Sequence, residues 1–173
     1  MKRFWITGSS GSGKTTLARQ VSRRTGIPIT HRDQITWMAG WQERPAEDQA
    51  RLIKEMADQD QWIFDSNMFS ASRTDGRMDK CDVFVHVTVN RWVCLWRALR
   101  RYWKHRKSSR PDLPEGCEED IDWVLIRYIL FEYPARKRAQ KREAFFEELR
   151  QRGKRVYVLQ SASDTEKFLK DLD

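Results

Sequence analysis

A glycine-rich run near the N-terminus has the residue types and the spacing of a phosphate-binding loop. Residues 8–15 read G-S-S-G-S-G-K-T and match the pattern G-x-x-x-x-G-K-[ST] at every fixed position. Glycines let backbone N–H groups turn inward around phosphate oxygens, and the start of the following helix adds unpaired N–H groups. We expect Lys14 to reach the β- and γ-phosphates of ATP and the Thr15 hydroxyl to ligate Mg²⁺. The expected nucleotide contacts are Gly8, Ser9, Ser10, Gly11, Ser12, Gly13, Lys14, Thr15 and Thr16.

The segments on either side of this loop decide between a working site and a plain Gly/Ser-rich turn. An apolar strand, residues 3–7, leads into the loop, and a helical pattern begins at Thr16. A phosphate-binding loop needs this strand–loop–helix context, whereas a surface turn does not. The context therefore favours nucleotide binding.

Short apolar segments alternate with helical stretches along the chain. The five predicted strands cover residues 3–7, 28–31, 62–65, 82–87 and 155–159. This alternation predicts an α/β fold, a three-layer P-loop NTPase with a five-stranded parallel sheet. Ligands of such sheets bind at the carboxyl ends of the strands, so we expect the loop, Asp33 and Asp65 at one edge. Asp65 ends a buried strand and is a candidate Mg²⁺ ligand; capping a helix is its alternative role.

A long helical insertion separates the last two strands. Its first helix, residues 91–106, carries Trp92, Trp96 and Trp103 at helical spacing, and we expect them to pack against the sheet or the rest of the insertion. A basic helix, residues 134–152, closes the insertion. Its cations could bind DNA, but its apolar and acidic residues favour a packed amphipathic helix.

Composition limits the class of protein. The 173 residues suit one domain with a real core, and the 33 Lys and Arg against 25 Asp and Glu give a net charge of +8, which suits phosphate-bearing partners. Three widely spaced cysteines form no disulfide or zinc pattern, and no apolar run reaches membrane-spanning length. With a strand opening at Arg3 in place of a signal peptide, we expect a cytoplasmic protein without a membrane partner.

These features together resemble the nucleoside-monophosphate-kinase-like superfamily of P-loop proteins. Within it, the chain is similar to the DNA topology modulation and adenylate-kinase-related proteins. The matching segments are the loop at 8–15, Gly26-Ile27-Pro28 before His31-Arg32-Asp33, Trp37 with Gly40-Trp41, Trp62 to Asn67, Arg91-Trp92 with Arg97 and Arg101, and Arg110 to Cys117 before Asp122-Trp123. Members of that family more often have Leu at position 32 and Gly at position 66.

The resemblance implies roles for residues outside the loop. It implies one kinase-like domain over residues 1–173, with a closing lid at about 101–136. Asp33 would orient or deprotonate an acceptor hydroxyl, and Arg73 and Arg77 would lie near the acceptor. Trp41, in the loop after Asp33, is a further candidate ligand contact by its position. The lid and its preceding helix would supply phosphate-binding cations, of which Arg97, Arg101 and Arg136 are the candidates.

The expected reaction is ATP- and Mg²⁺-dependent phosphoryl transfer to a small acceptor, with a nucleotide or nucleoside as the leading candidate. A nucleotide's phosphate is already ionised at neutral pH and needs no base. One alternative is therefore a small-metabolite kinase that uses Asp33 as the base. The other is a nucleotide-switched DNA-binding protein with weak kinase activity.

Overall fold

The computed structural model describes residues 1–66, 74–105, 113–117 and 121–172. Its strands are β1 (Arg3–Gly8), β2 (Ile29–His31), β3 (Trp37–Met38), β4 (Gln42–Glu43), β5 (Trp62–Asp65), β6 (Val83–Val87) and β7 (Arg155–Leu159). Its helices are α1 (Lys14–Thr25), α2 (Arg32–Thr36), α3 (Ala46–Ala57), α4 (Arg77–Lys80), α5 (Arg91–His105), α6 (Trp123–Arg127), α7 (Arg136–Gln151) and α8 (Ala162–Lys170). A single turn of 3₁₀-helix, Ala39–Trp41, joins β3 to β4, and a π-helical turn, Tyr128–Glu132, continues α6.

Five of the strands form one parallel sheet in the order β2-β5-β1-β6-β7. The register pairs Ile6 of β1 with Asp65 of β5 and with Val85 of β6. The α/β class and the five-stranded parallel sheet are therefore confirmed. Because β1 is central, the loop that follows it lies between the ends of β5 and β6, at the edge where parallel sheets bind ligands.

Alternating side chains of β1 enter two separate hydrophobic clusters. Phe4 and Ile6 pack with Leu17 and other apolar residues of α1 and α8. Trp5, on the opposite face, packs with apolar residues of α3 and α7, including Phe145. Both faces of the sheet are thus covered by helices, which is the three-layer arrangement that the continuous apolar strands predicted.

Helix α5 corrects the expectation for three of the tryptophans. Its buried side chains are Cys94 and Ala98, and Trp92, Trp96 and Trp103 are 59%, 57% and 64% exposed. Small residues face inward because the helix backbone packs closely on the phosphate loop: a Cβ at Gly11 would lie 2.2 Å from the Cys94 carbonyl oxygen. The prediction that these tryptophans pack against the sheet or the insertion is wrong.

Some elements lie outside the sequence prediction. The antiparallel pair β3–β4 follows α2, a short helix that contains Asp33. Helix α8 begins with a capping box, in which the Ser161 hydroxyl accepts from the Asp164 N–H and the Asp164 carboxylate accepts from the Ser161 N–H. In the described part of the chain, no helix is both long and apolar enough to cross a membrane.

Candidate active site

The phosphate loop depends on close backbone approaches that only glycine permits. Gly11 has a φ of +76°, and its Cα lies against the backbone of Cys94 on α5. A Cβ at Gly8 would come within 2.5 Å of the Ser12 hydroxyl and 2.7 Å of the Val87 carbonyl oxygen. Real Cβ atoms do not approach so closely, so the sequence G-S-S-G-S-G fixes the loop between the ends of β1 and β6.

Two hydroxyl groups of the loop are buried without a hydrogen-bond partner. The side chains of Ser9 and Ser12 are each about 5% exposed or less, and neither Oγ has a protein partner among the described residues. Buried polar groups are normally hydrogen-bonded, so these two hydroxyls are candidates for contact with a ligand. Hydroxyl donors beside a ring of backbone N–H groups suit phosphate oxygens.

A hydrogen-bonded cluster of three side chains lies beside the loop. The Thr15 hydroxyl donates to Asp65 Oδ2 at 2.6 Å, and His31 Nδ1 lies 3.1 Å from the same oxygen. The second carboxylate oxygen, Asp65 Oδ1, is buried and has no hydrogen-bond partner within the described chain. One oxygen of Asp65 is therefore held in place while the other is left for a cation or its water.

The electrostatics of this cluster favour the ionised carboxylate. Burial raises the pKa of Asp65, but the charge of Lys14 and the hydrogen bonds from His31 and Thr15 lower it further, and the net pKa is below the ordinary value. A carboxylate kept charged in a buried position is ready to attract a metal ion. His31 was not among the predicted site residues, because its contact with Asp65 depends on β2 lying next to β5 in the sheet.

The donor set fits Mg²⁺. Asp65 and Thr15 offer hard oxygen atoms, and the Thr15 hydroxyl keeps its lone pairs while donating to Asp65. The described residues contain no group of three or more His, Cys, Asp or Glu that could hold a metal ion. Mg²⁺ sites in nucleotide enzymes use one or two protein oxygens and complete the shell with phosphates and water.

The residues that the sequence predicts near the acceptor lie in α2 and in the hairpin after it. Asp33 is exposed near the start of α2. Trp41 has a φ of 60°, uncommon for a residue other than glycine, and its ring packs edge-on against Trp37 at 5.3 Å. Its backbone N–H donates to Cys117 Sγ at 3.3 Å, which joins the hairpin to the described part of the predicted lid. Arg73 falls outside the described residues.

The predicted cations occupy different positions. Arg97 contacts the loop directly, because its guanidinium donates to the Ser12 carbonyl at 3.3 Å. Arg101 is half-buried one turn further along α5, and Arg136 is exposed at the start of α7. Their roles at the phosphates stay predictions.

Arg77 has a different environment from the one the resemblance implied. Its side chain is fully buried between the rings of Trp5 and Phe64, at 4.9 and 5.0 Å from their centroids. The guanidinium donates to Asp75 and, at 3.2 Å, to the Ser66 hydroxyl. Because its donors are used by Asp75 and Ser66, Arg77 stabilises the chain after β5 and is not available to an acceptor.

Several solved structures that share this architecture bear the names of small-metabolite kinases. A shikimate kinase from Bacteroides thetaiotaomicron is 18% identical, with a TM-score of 0.55 over 99% of this chain and 96% of that chain. A gluconokinase from Sinorhizobium meliloti is 14% identical, with a TM-score of 0.54 over 99% and 89%. A sugar kinase from Janibacter sp. is 16% identical, with a TM-score of 0.52 over 99% and 91%.

The likeness to these structures defines the fold as that of the P-loop kinases. At these identities it defines the fold and no more. No protein-family model and no curated protein sequence matches the chain. The narrower resemblance to the DNA topology modulation family therefore stays a prediction.

Proposed function

We propose that the protein is an ATP- and Mg²⁺-dependent kinase of a small acceptor molecule. The observation that carries the proposal is the Thr15–Asp65 pair beside the phosphate loop. Asp65 is buried and ionised, one of its oxygens is held by Thr15 and His31, and the other has no partner in the described chain. A structural carboxylate would have both oxygens paired, so this arrangement supports a metal-binding role.

The residues of the loop divide the work of holding the triphosphate. Backbone N–H groups and the Ser9 and Ser12 hydroxyls would bind phosphate oxygens, and the Lys14 ammonium would lie at the β- and γ-phosphates. Thr15 and Asp65 would hold Mg²⁺, which would neutralise charge on those phosphates. Phosphoryl transfer involves little covalent chemistry by the protein, so this positioning provides most of the rate acceleration.

Arg97 is the cation best placed to act beside the loop. Its guanidinium already donates to the Ser12 carbonyl at 3.3 Å, so it stands against the loop that would hold the phosphates. Planar guanidinium groups match the geometry of phosphate oxygens. Their interaction with these oxygens becomes stronger as negative charge develops in the transition state. We assign it to the transferring phosphoryl group, with Arg101 and Arg136 as further candidates.

The acceptor would bind between Asp33 and the Trp37–Trp41 pair. A carboxylate a few residues before two indole rings in packing contact suits a molecule with a hydroxyl nucleophile and a ring that can lie against an aromatic face, such as a nucleoside or a sugar. The solved structures of similar fold bear the names of sugar, shikimate and gluconate kinases, which favours a hydroxyl acceptor. A nucleotide acceptor stays a narrower hypothesis.

The direct test is ADP release in the presence of Mg²⁺, screened over nucleosides, nucleoside monophosphates and sugar-like polyols. We expect one class to give saturable ADP production with the wild-type chain. In Asp33→Asn, a hydroxyl acceptor should lose turnover by about 10²-fold or more, since general-base catalysis contributes about that much. A monophosphate acceptor should be affected far less. The proposal fails if no class raises ADP release above the level without acceptor.

A further inference from the structure

The outward face of helix α5 is the largest set of exposed aromatic side chains in the described chain. Trp92, Trp96, Leu99 and Trp103 recur at intervals of four, three and four residues, which places them along one stripe of the helix. All four are exposed, and the three tryptophans are more than half exposed. We call this stripe the tryptophan face; at 1.5 Å per residue it is roughly 16 Å long.

The rest of α5 holds this face rigidly outward. Cys94 and Ala98, on the opposite side, are about 1% exposed and pack with Ile129 of the π-helical turn. Arg91 donates to the Leu130 carbonyl at 3.1 Å, and Arg97 donates to the phosphate loop. Because both sides of the helix are fixed by these contacts, the tryptophans cannot be buried by a simple rotation of α5.

The charge of α5 limits what can cover the face. The helix contains five cations and no Asp or Glu: Arg91, Arg97, Arg100, Arg101 and Lys104. Two copies of the chain meeting through this face would place cations against cations with no acidic residue of α5 between them. An anionic partner gains from the same charges.

The positions of the guanidinium groups on the indole rings distinguish between two anionic partners, a single-stranded nucleic acid and a lipid surface. The Arg91 guanidinium lies over the Trp92 ring at 5.6 Å, and the Arg100 guanidinium lies over the Trp96 ring at 5.4 Å. Each guanidinium covers a ring face on which a nucleic-acid base would stack, and a convex helix lacks the groove that single strands follow. A lipid surface suits these side chains better than a nucleic acid does. Its phosphate groups can lie at the level of the guanidiniums, and its apolar chains lie below them, where the indole rings can insert.

We propose that the tryptophan face docks on an anionic lipid surface. The helix would lie in the plane of the headgroups, with the indoles inserted and with Arg100 and Lys104, both exposed, at the lipid phosphates. This peripheral contact would differ from the sequence-based expectation of no membrane partner, and it needs no apolar run of spanning length. It does not depend on the proposed kinase activity.

The test is co-sedimentation with vesicles, using the full chain. Wild type should sediment with vesicles of phosphatidylglycerol and phosphatidylcholine in equal parts, but not with phosphatidylcholine alone, and the bound fraction should fall as salt is added. Trp92→Gln/Trp96→Gln/Trp103→Gln should lose this binding, since glutamine keeps the helix and every cation. Trp123→Gln removes an exposed tryptophan outside α5 and should bind as wild type does.

A charge variant tests the second half of the proposal. Arg100→Glu/Lys104→Glu should weaken vesicle binding by at least about tenfold, because each cation near an anionic surface contributes roughly a factor of five. Far-UV circular dichroism and the urea midpoint of each variant report whether the chain is folded.

Four outcomes would overturn the proposal. The first two are that wild type does not bind anionic vesicles, and that the triple variant binds them as well as wild type does. The third is that a single-stranded oligonucleotide quenches the tryptophan fluorescence while vesicles have no effect on it. This result would assign the face to nucleic acid. The fourth is that sedimentation velocity detects a dimer of wild type and only a monomer of the triple variant. This result would assign the face to a second copy of the chain.

Discussion

The buried pair of Asp75 and Arg77 is the interaction whose loss should cost the most stability. The Arg77 guanidinium is inaccessible to solvent, and its Nη2 and Nε donate to Asp75 at 2.6 to 2.9 Å. Replacing a buried ion pair by apolar groups can be nearly neutral, but removing one partner leaves a buried charge uncompensated. Asp75→Ala should therefore lower the free energy of unfolding by about 3–5 kcal/mol.

That loss is large against the total stability of a typical domain, about 5–15 kcal/mol. It corresponds to a fall in Tm on the order of 10 °C for a chain of this size. Asp75→Ala/Arg77→Met should recover part of the loss, because the methionine is apolar and can lie between the rings of Trp5 and Phe64. The opposite result, a double variant less stable than the single one, would mean that Arg77 stabilises the fold through contacts other than Asp75.

Urea unfolding followed by tryptophan fluorescence measures these differences, provided that the m-value is unchanged among the variants. Asp48→Ala provides the matched control, since Asp48 pairs with Arg51 on the exposed surface of α3 at 3.1 Å. Exposed pairs contribute little, so its midpoint should stay that of wild type. If Asp75→Ala also leaves the midpoint unchanged, the reasoning from the buried charge is refuted.

Three further predictions concern the site and the core beneath it. Asp65→Asn should reduce Mg²⁺-dependent turnover by well over tenfold, about 2–4 kcal/mol of transition-state stabilisation, in initial rates across Mg²⁺ concentrations; unchanged rates would exclude the metal role. His31→Leu should raise the Mg²⁺ concentration for half-maximal activity by about tenfold, while His31→Asn, whose amide can donate to Asp65, should raise it less. Equal effects of the two His31 variants would contradict a positioning role. Burial, with a smaller effect of Arg142, lowers the pKa of His86 to about 3 from 6.5, so the unfolded chain binds a proton there that the folded chain does not. Stability should therefore fall as the pH drops from 6.5 toward 3, by at most about 1.4 kcal/mol per pH unit, and His86→Gln should flatten this slope in unfolding curves.

The sheet could be predicted because its strands are short, apolar and regularly separated by helices. Phe4, Trp5 and Ile6 are all buried, as a strand covered on both faces requires. The hairpin β3–β4 could not be predicted in the same way, because it has two residues in each strand and owes its shape to the left-handed backbone at Gly40 and Trp41.

The helix faces and the arginines show what a sequence pattern leaves open. Helical spacing placed Trp92, Trp96 and Trp103 on one side of α5, but spacing alone does not say which side faces inward. The close packing of α5 on Gly11 decides that question, and this contact joins residues more than 80 positions apart. The role of Arg77 likewise depends on Ser66, whose hydroxyl accepts from both Arg77 and the Trp5 indole.

At the site, the loop and Asp65 could be predicted because the motif and the end of a strand are local features. His31 could not, since its contact with Asp65 depends on β2 lying next to β5 in the sheet. Asp33 stands near the start of α2, so its position beside an acceptor is still a prediction.

Calorimetric titration of ATP in the presence of Mg²⁺ tests the central claim most directly. We expect binding to wild type and to Lys54→Ala, which removes an exposed lysine of α3 far from the loop in sequence. Lys14→Ala should bind at least about tenfold more weakly, because a hydrogen bond between charged groups contributes about 1.5–3 kcal/mol. Equal ATP affinity in folded wild type, Lys54→Ala and Lys14→Ala, or no binding to any of them, would contradict the assignment of a nucleotide site to residues 8–15.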